Sequence, residues 1–553
     1  MGRRMLRAPR VWGALLAGAV LLLALHDLGD AAIVHNDEAR EVGIVQDVLA
    51  GHWLWPQFND DLLPDKPTLF HWLAAIPCAL FGFSETAVRL PSALAAAGIV
   101  WWTVEFGSWL FGLPAGVVAG GVLATTTSFF GHARIARPDL LLVLLLALAL
   151  GSAYRWWRED HRRDATVALA LLGLGTGAKG PVAPALFAAT MGLFLLWQGD
   201  VRRIRIRCSP AGMLAFIVLG LGWYVVAYAG WGDRFVREHL IGRYVYNLVG
   251  GIASGGTYSR RPWYYHVFFY PQHLPGIVSP WSPFVALALW RLWRDRGLGD
   301  PRMRFLLCWA AAPVLVFTPA QWKLRYYLLP SLPPLALLVA PMLLRLPATP
   351  ILPPRVTRTS ALAAVGFAGV AAGATLTYLV HPAILSASDQ GTRDNLLATL
   401  GGVRVSALVF GMLIATVAVA IACRAWRGLV VLTAAASLAW LVVGQPALEA
   451  AVTRRDTLKP FARAAAARFP PGLPLAFYGA GVRQVVVYVG RPIPSLGHRA
   501  ERVAPGQGVI ARQAAYQALA AAGRVGPPLA TATGRVDAIE RATLVLAEGR
   551  PAS

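Results

Sequence analysis

Asp37, Glu38, Arg40 and Glu41 stand together in VHNDEAREVG, a few residues after an apolar run, in a chain that is 56% hydrophobic and only 14% charged. LLPDKPTLFHW fixes Asp65 and Lys66 between two prolines, ARIARPDLLL sets Arg134, Arg137 and Asp139 at the head of an apolar run, and GTGAKGPVAPAL holds Lys179 in a short turn. EHLIGRYVYN spaces His239 and Arg243 about one helical turn apart, and WKLRYYLLP gathers Lys323, Arg325, Tyr326 and Tyr327. A placed carboxylate can take or orient the proton of an attacking hydroxyl. Fixed cations can hold a phosphate, lysine as a compact point charge and arginine as a planar fork. The paired tyrosines beside Lys323 and Arg325 also suit a lipid tail.

Each group has a plainer structural reading. Asp37 can cap a helix whose apolar face is Ala39, Val42, Val45, Val48 and Leu49. Glu38 and Glu41 either face water or bind a basic neighbour. Lys66, Lys179 and Lys323 can snorkel to headgroups, and Asp139 can pair with arginine while stabilising the start of its helix. The aromatics of RRPWYYHVFFYP fit an interfacial belt, and AKGP lacks the spacing and hydroxyl of a P-loop. Cys78, Cys208, Cys308 and Cys423 lie in or beside apolar runs without paired or metal-ligand spacing.

The elements that must position these residues are membrane helices. Over 553 residues the mean hydropathy is +0.53, and apolar runs reach the length that crosses a hydrocarbon core. Fourteen candidate segments cover 11–26, 69–83, 90–112, 114–131, 139–155, 165–178, 181–198, 211–230, 274–293, 303–319, 325–345, 359–380, 403–423 and 429–445. The first is expected to be a retained signal anchor, because no A-x-A cleavage site follows it cleanly. The net charge of +23 suits the positive-inside bias of a polytopic protein, with some left over for anionic lipid or phosphate.

The basic clusters at Arg3–Arg10, Arg155–Arg163, Arg202–Arg207, Arg291–Arg304, Arg345–Arg358 and Arg424–Arg427 share one side if 69–83 lies along the outer surface, leaving thirteen spans. The unusual ionisable residues then all fall on the other, outer side. Residues 1–446 are therefore expected to form the membrane domain, with outer-face interfacial helices within 27–89. Residues 447–553 are expected to form a small outer α/β domain, in which LPLAFYGAG and VRQVVVYVGRPIP read as strand, turn, strand.

The ordered set DEAR, DKP, R-x-x-RPD, AKGP, EH-x-x-x-R, RRPWYY and K-x-R-Y-Y-LLP, followed by that domain, resembles the bacterial polytopic GT-C glycosyltransferases. These include lipid A 4-amino-4-deoxy-L-arabinose transferases and relatives of protein O-mannosyltransferases. The motifs run from about residue 1 to 345. The resemblance implies a monomeric, multi-pass enzyme of the bacterial inner membrane with its site and C-terminal domain facing the periplasm. It would move a sugar from an undecaprenyl-type phosphate donor to lipid A or a similar envelope acceptor.

On that template Asp37 is the general base or acceptor-orienting acid and Asp139 the second acid. Arg40, Lys66, Lys323 and Arg325, with Tyr326 and Tyr327, would hold the donor, while Glu38, Asp65, Arg137, Lys179, His239 and Arg243 would line the site. This chain has Asp65 where the aminoarabinose transferases usually have Glu. A divalent ion touching Asp65 is left open, with no other cofactor implied. Rival readings are a protein O-mannosyltransferase and a lipid-linked sugar flippase; a transporter would place its ionisable residues near mid-membrane on broken helices.

Overall fold

A computed structural model describes residues 2–59, 63–64, 66–200, 209–245, 263–320, 323–345, 426–479, 481–536 and 540–551. The chain forms two compact units: residues 1–26, 66–70 and 91–447 make the first, and residues 27–65, 71–90 and 448–553 the second. Six helices among the described residues are long and apolar enough to cross a membrane: Ala8–Leu25, Glu85–Phe111, Asp139–Glu159, Pro210–Gly242, Arg325–Leu344 and Val430–Asp456. Leu113–Ala124 and Thr127–Ala133, bent by 68°, add a seventh if they form one span. The segments expected at 165–178, 181–198, 274–293 and 303–319 are helical at Arg162–Lys179, Val182–Gln198, Ser282–Arg294 and Pro301–Phe317. Those expected at 359–380 and 403–423 lie outside the described residues.

The first unit is helical, and small residues let its backbones approach closely. The helix ending at Phe111 and the helix Leu113–Ala124 are joined by Gly112 at φ +92°, a conformation that favours glycine, with Pro114 in the first turn that follows. At Gly116 a Cβ would come within 2.4 Å of the Val104 carbonyl oxygen and 2.6 Å of the Ser108 nitrogen, so only glycine fits between the two backbones. Aromatic rings pack along and between the helices. Trp102 stacks on Phe106 at 4.7 Å, Tyr154 lies 4.4 Å from Phe305, and Trp157 meets Phe194 edge-on at 4.8 Å. Each such pair adds about 0.5–1.5 kcal/mol beyond its buried area, which makes this core rigid enough to fix the helix ends.

The second unit holds a four-stranded sheet: β1 Leu475–Tyr478, β2 Gly508–Arg512, β3 Ala530–Arg535 and β4 Arg541–Glu548, in the order β1-β2-β4-β3. β1 and β2 run parallel and the other pairs antiparallel. The expected strand in VRQVVVYV is instead the helix Arg483–Val489. Its β-branched valines favour a strand locally, but joining two parallel neighbours requires a crossover that leaves and re-enters the sheet. Burial of Gln484, Val485, Val486 and Val487 in the helical form decides the outcome.

Residues 27–59 are fastened onto this C-terminal part. The Ile33 N–H donates to the Tyr488 hydroxyl at 2.7 Å, Gln46 donates to the Val487 carbonyl at 2.9 Å, and Asn59 exchanges bonds of 2.9 and 2.7 Å with the Ile493 backbone. Asp456, fully buried, accepts from Arg455, Arg535 and Arg541 at 3.0, 2.9 and 3.1 Å, tying a helix C-terminus to the sheet.

Candidate functional site

In the first unit, three elements converge on Asp139. The helix Asp139–Glu159 begins at this residue, with Pro138 as its N-cap, so the carboxylate sits at the positive end of the helix dipole. The helix Arg162–Lys179 ends there, and its last residue donates from Nζ to Asp139 Oδ1. Arg137 approaches the other oxygen, with Nε 3.1 Å from Oδ2. Asp139 is 3% exposed, and both its partners are half-buried. One buried carboxylate thus gathers two cations that would otherwise repel each other.

The tight turn Arg325–Ser331 supplies the aromatic wall. The Arg137 guanidinium carbon lies 4.0 Å from the centre of the Tyr326 ring, and Lys179 Nζ lies 5.8 and 5.4 Å from the Tyr326 and Tyr327 rings. All three distances fit cation–π attraction. A small cleft lies beside them, lined by Asp139, Leu142, Lys179, Phe317, Tyr326, Tyr327, Leu329 and Pro330. Lys66 is close enough for its charge to act on both Asp139 and Lys179.

Lys323 is buried over the Tyr270 ring, 5.4 Å from its centre, and donates to the Phe317 carbonyl at 3.1 Å and to the Thr318 carbonyl. These carbonyls end the helix Pro301–Phe317, where a cation is favoured. Burial still pushes the Lys323 ammonium down to about 8. Arg325 is exposed at the head of the tyrosine turn. Arg134 takes a structural place: it donates to the carbonyls of Ala24 and His26 at 2.9 and 2.5 Å.

His239, 1% exposed, stacks on Phe235 at 4.8 Å and faces Trp223 and Tyr224. Asp65 and the side chain of Arg243 lie outside the described part of the chain. Two residues enter that the motif reading passed over. His132, whose ring lies 5.9 Å from that of Tyr326, sits one residue before the stretch ARIARPDLLL. Tyr270 lies under Lys323, inside the aromatic run that reads as an interfacial belt.

In the second unit the stretch VHNDEAREVG forms the start of the helix Asn36–Leu49, in which nine of fourteen residues are buried. Its N-cap is His35, so Asp37 lies within the first turn and is exposed. Glu38 and Glu41 bind basic neighbours rather than face water. Arg89 donates to both Glu38 oxygens at 2.8 and 3.3 Å and to the carbonyls of Leu28 and Ala31 at 2.8 and 2.7 Å. His71 meets Glu41 at 2.8 Å, and Arg40 donates to the Leu63 carbonyl at 2.9 Å. The polar side of the helix is thereby held inside the unit while Asp37 is presented outward.

For a metal, the described residues bring three ligating side chains together only at Glu159, His161 and Asp164. Those residues lie at and just beyond the far end of the helix that begins at Asp139. The arrangement around Asp139 itself is suited to an anion with an apolar tail: fixed cations, ring faces and an apolar wall.

Residues 65–227 match the family model of dolichyl-phosphate-mannose-protein mannosyltransferases. Among curated proteins, the undecaprenyl phosphate-alpha-4-amino-4-deoxy-L-arabinose arabinosyl transferase of Aeromonas salmonicida is 28% identical over 333 residues, 58% of either chain. That of Yersinia pestis is 28% identical over 340 residues, 59% of this chain and 58% of its own. The alignment thus spans less than two thirds of these relatives. The crystal structure of ArnT from Cupriavidus metallidurans bound to undecaprenyl phosphate superposes with a TM-score of 0.74 at 20% identity, covering 97% of this chain and 98% of that one. Its apo form gives 0.73 at 19% identity, with 97% of each covered. The chain has an ArnT-like fold, and the GT-C resemblance carried by the motifs is borne out.

Proposed function

We propose that this protein is a membrane glycosyltransferase that moves a sugar from an undecaprenyl-phosphate donor to lipid A or a similar envelope lipid. The observation that carries the reading is the cleft at Asp139, where Arg137, Lys179 and the two tyrosines form a cationic, ring-walled site within an ArnT-like fold. A glycosyl phosphate leaving group carries negative charge that grows as the anomeric bond breaks. Cations already in place stabilise that charge without reorganising. Asp139 keeps Arg137 and Lys179 together before the donor arrives, and the phosphate then shares them.

Lys66, Lys323 and Arg325 add to the phosphate grip, with Tyr326 and Tyr327 against the first part of the lipid tail; Arg40, offered by its motif for the same role, is buried on the Leu63 carbonyl instead. Asp37, exposed in its first turn, is the base that takes the acceptor proton. Glu38, Asp65, His239 and Arg243 belong to the surroundings of the substrates. The reading includes thirteen spans, a membrane domain of residues 1–446, an outer domain of 447–553, and a monomer in the inner membrane with both site and outer domain on the periplasmic side.

The match of residues 65–227 to protein mannosyltransferases supports a second reading, transfer to protein hydroxyls. Mass spectrometry of envelope lipids and of envelope glycoproteins, from cells with and without the protein, separates the two. A sugar mass missing from the lipids alone supports the first reading, and one missing from the glycoproteins alone supports the second. No change in either fraction refutes both.

A further inference from the structure

At the opposite end of the helix that begins with Asp139, Arg155 and Arg158 face one ring. Their guanidinium carbons lie 5.3 and 4.9 Å from the centre of the Trp109 indole, near the end of the helix Glu85–Phe111. The two arginines stand three residues apart and therefore share a helix face. Arg155 Nε is buried without a hydrogen-bond partner among the described residues, and Arg158 is exposed, close enough for its charge to act on Asp300.

The neighbouring polar groups are already matched. Arg302 is taken by both oxygens of Asp300 at 3.0 Å and by the Leu110 carbonyl at 2.8 Å, and Asp200 accepts from the Trp157 indole at 3.2 Å. Glu159 meets His161 at 3.5 Å. Beneath Trp109 lie Tyr154, at 6.0 Å, and Phe106, at 5.6 Å, so the floor of the site is aromatic and apolar.

We infer that Trp109, Arg155 and Arg158 form a binding site for the phosphate of an anionic phospholipid in the leaflet opposite the cleft. Two guanidiniums beside one indole offer several charged N–H donors to the oxygens of a phosphate. Indole rings favour the headgroup level of a bilayer. The helix end beside an apolar floor selects a lipid over a free ion, because acyl chains continue along the surface that the headgroup leaves. Arg155 is about 24 Å along the helix from Asp139, at 1.5 Å per residue, so this phosphate is separate from that of a sugar donor. A basic cluster that served orientation alone would need charge but no shared ring.

The test is native mass spectrometry of the full-length protein in detergent, titrated in separate arms with phosphatidylglycerol, phosphatidylcholine and inorganic phosphate. Wild type is expected to retain phosphatidylglycerol in preference to phosphatidylcholine, with millimolar inorganic phosphate failing to displace it. Arg155→Gln with Arg158→Gln removes charged hydrogen bonds and should weaken retention at least about tenfold. Arg155→Lys with Arg158→Lys keeps the charge that orients the chain and should still lose several-fold. Trp109→Leu should do the same while leaving sugar transfer unchanged. Equal retention of both lipids by wild type, unchanged retention in the lysine pair, or displacement by inorganic phosphate would each overturn the assignment.

Discussion

Replacing Asp139 by Asn keeps the shape of the side chain and removes the charge that Arg137 and Lys179 share. The carboxylate is 3% exposed, with Arg137 at 3.1 Å from one oxygen and Lys179 on the other, so two cations are left facing each other in a poorly solvated place. Breaking a buried pair by removing one partner costs about 3–5 kcal/mol, of which the rings of Tyr326 and Tyr327 return some through cation–π attraction. Adding Lys179→Met takes away one of the stranded charges. The double variant should therefore be more stable than Asp139→Asn alone, a departure from additivity of about 0.5–3 kcal/mol. Undecaprenyl phosphate supplies a replacement anion, and it should raise the unfolding midpoint of Asp139→Asn more than that of wild type. Thermal unfolding of wild type, Asp139→Asn, Lys179→Met and the double variant in detergent, with and without that lipid, measures all three effects. A wild-type midpoint for Asp139→Asn, or a double variant less stable than the single, would refute the view that Asp139 holds the two cations together.

Three further outcomes follow from the site. Asp37→Asn removes an exposed carboxylate from the first helical turn, at a stability cost of about 0.3–1 kcal/mol. If Asp37 is the base, sugar transfer by the purified variant should fall ~10²–10⁴-fold, and near-normal turnover would leave it as a helix-terminal acid. Lys66→Ala and Arg325→Ala should each weaken donor binding by about 1.5–3 kcal/mol with little effect on acceptor dependence; unchanged donor titrations in both would exclude them from the phosphate grip. Lys323 titrates near pH 8 because burial disfavours its charged form. The unfolded chain therefore holds this proton more tightly, so the group's contribution to stability rises as pH climbs from about 8 toward the ordinary lysine value. Donor affinity should move the other way, falling above about pH 8 as the cation is lost, and Lys323→Arg should flatten that fall. An identical pH profile in the two proteins would show that Lys323 does not bind the phosphate.

The sequence by itself determined the helices and the neighbourhoods. Apolar length announced the helices Glu85–Phe111, Asp139–Glu159 and Arg325–Leu344, since burying backbone polar groups in hydrocarbon leaves little alternative to a helix. Arg137 beside Asp139, and Lys323 with Arg325, Tyr326 and Tyr327, were legible because residues so close in sequence must share one end of an element. Packing decided the partners. Lys179 reaches Asp139 across 40 residues, Glu38 finds Arg89 across 51, and Glu41 finds His71 across 30. No local pattern encodes such pairs, because they depend on which helix ends meet. The same holds for VRQVVVYV, whose valines favour a strand until the crossover between two parallel strands requires a helix. Local composition sets what each segment can form, and the burial of long-range partners selects which of those forms persists.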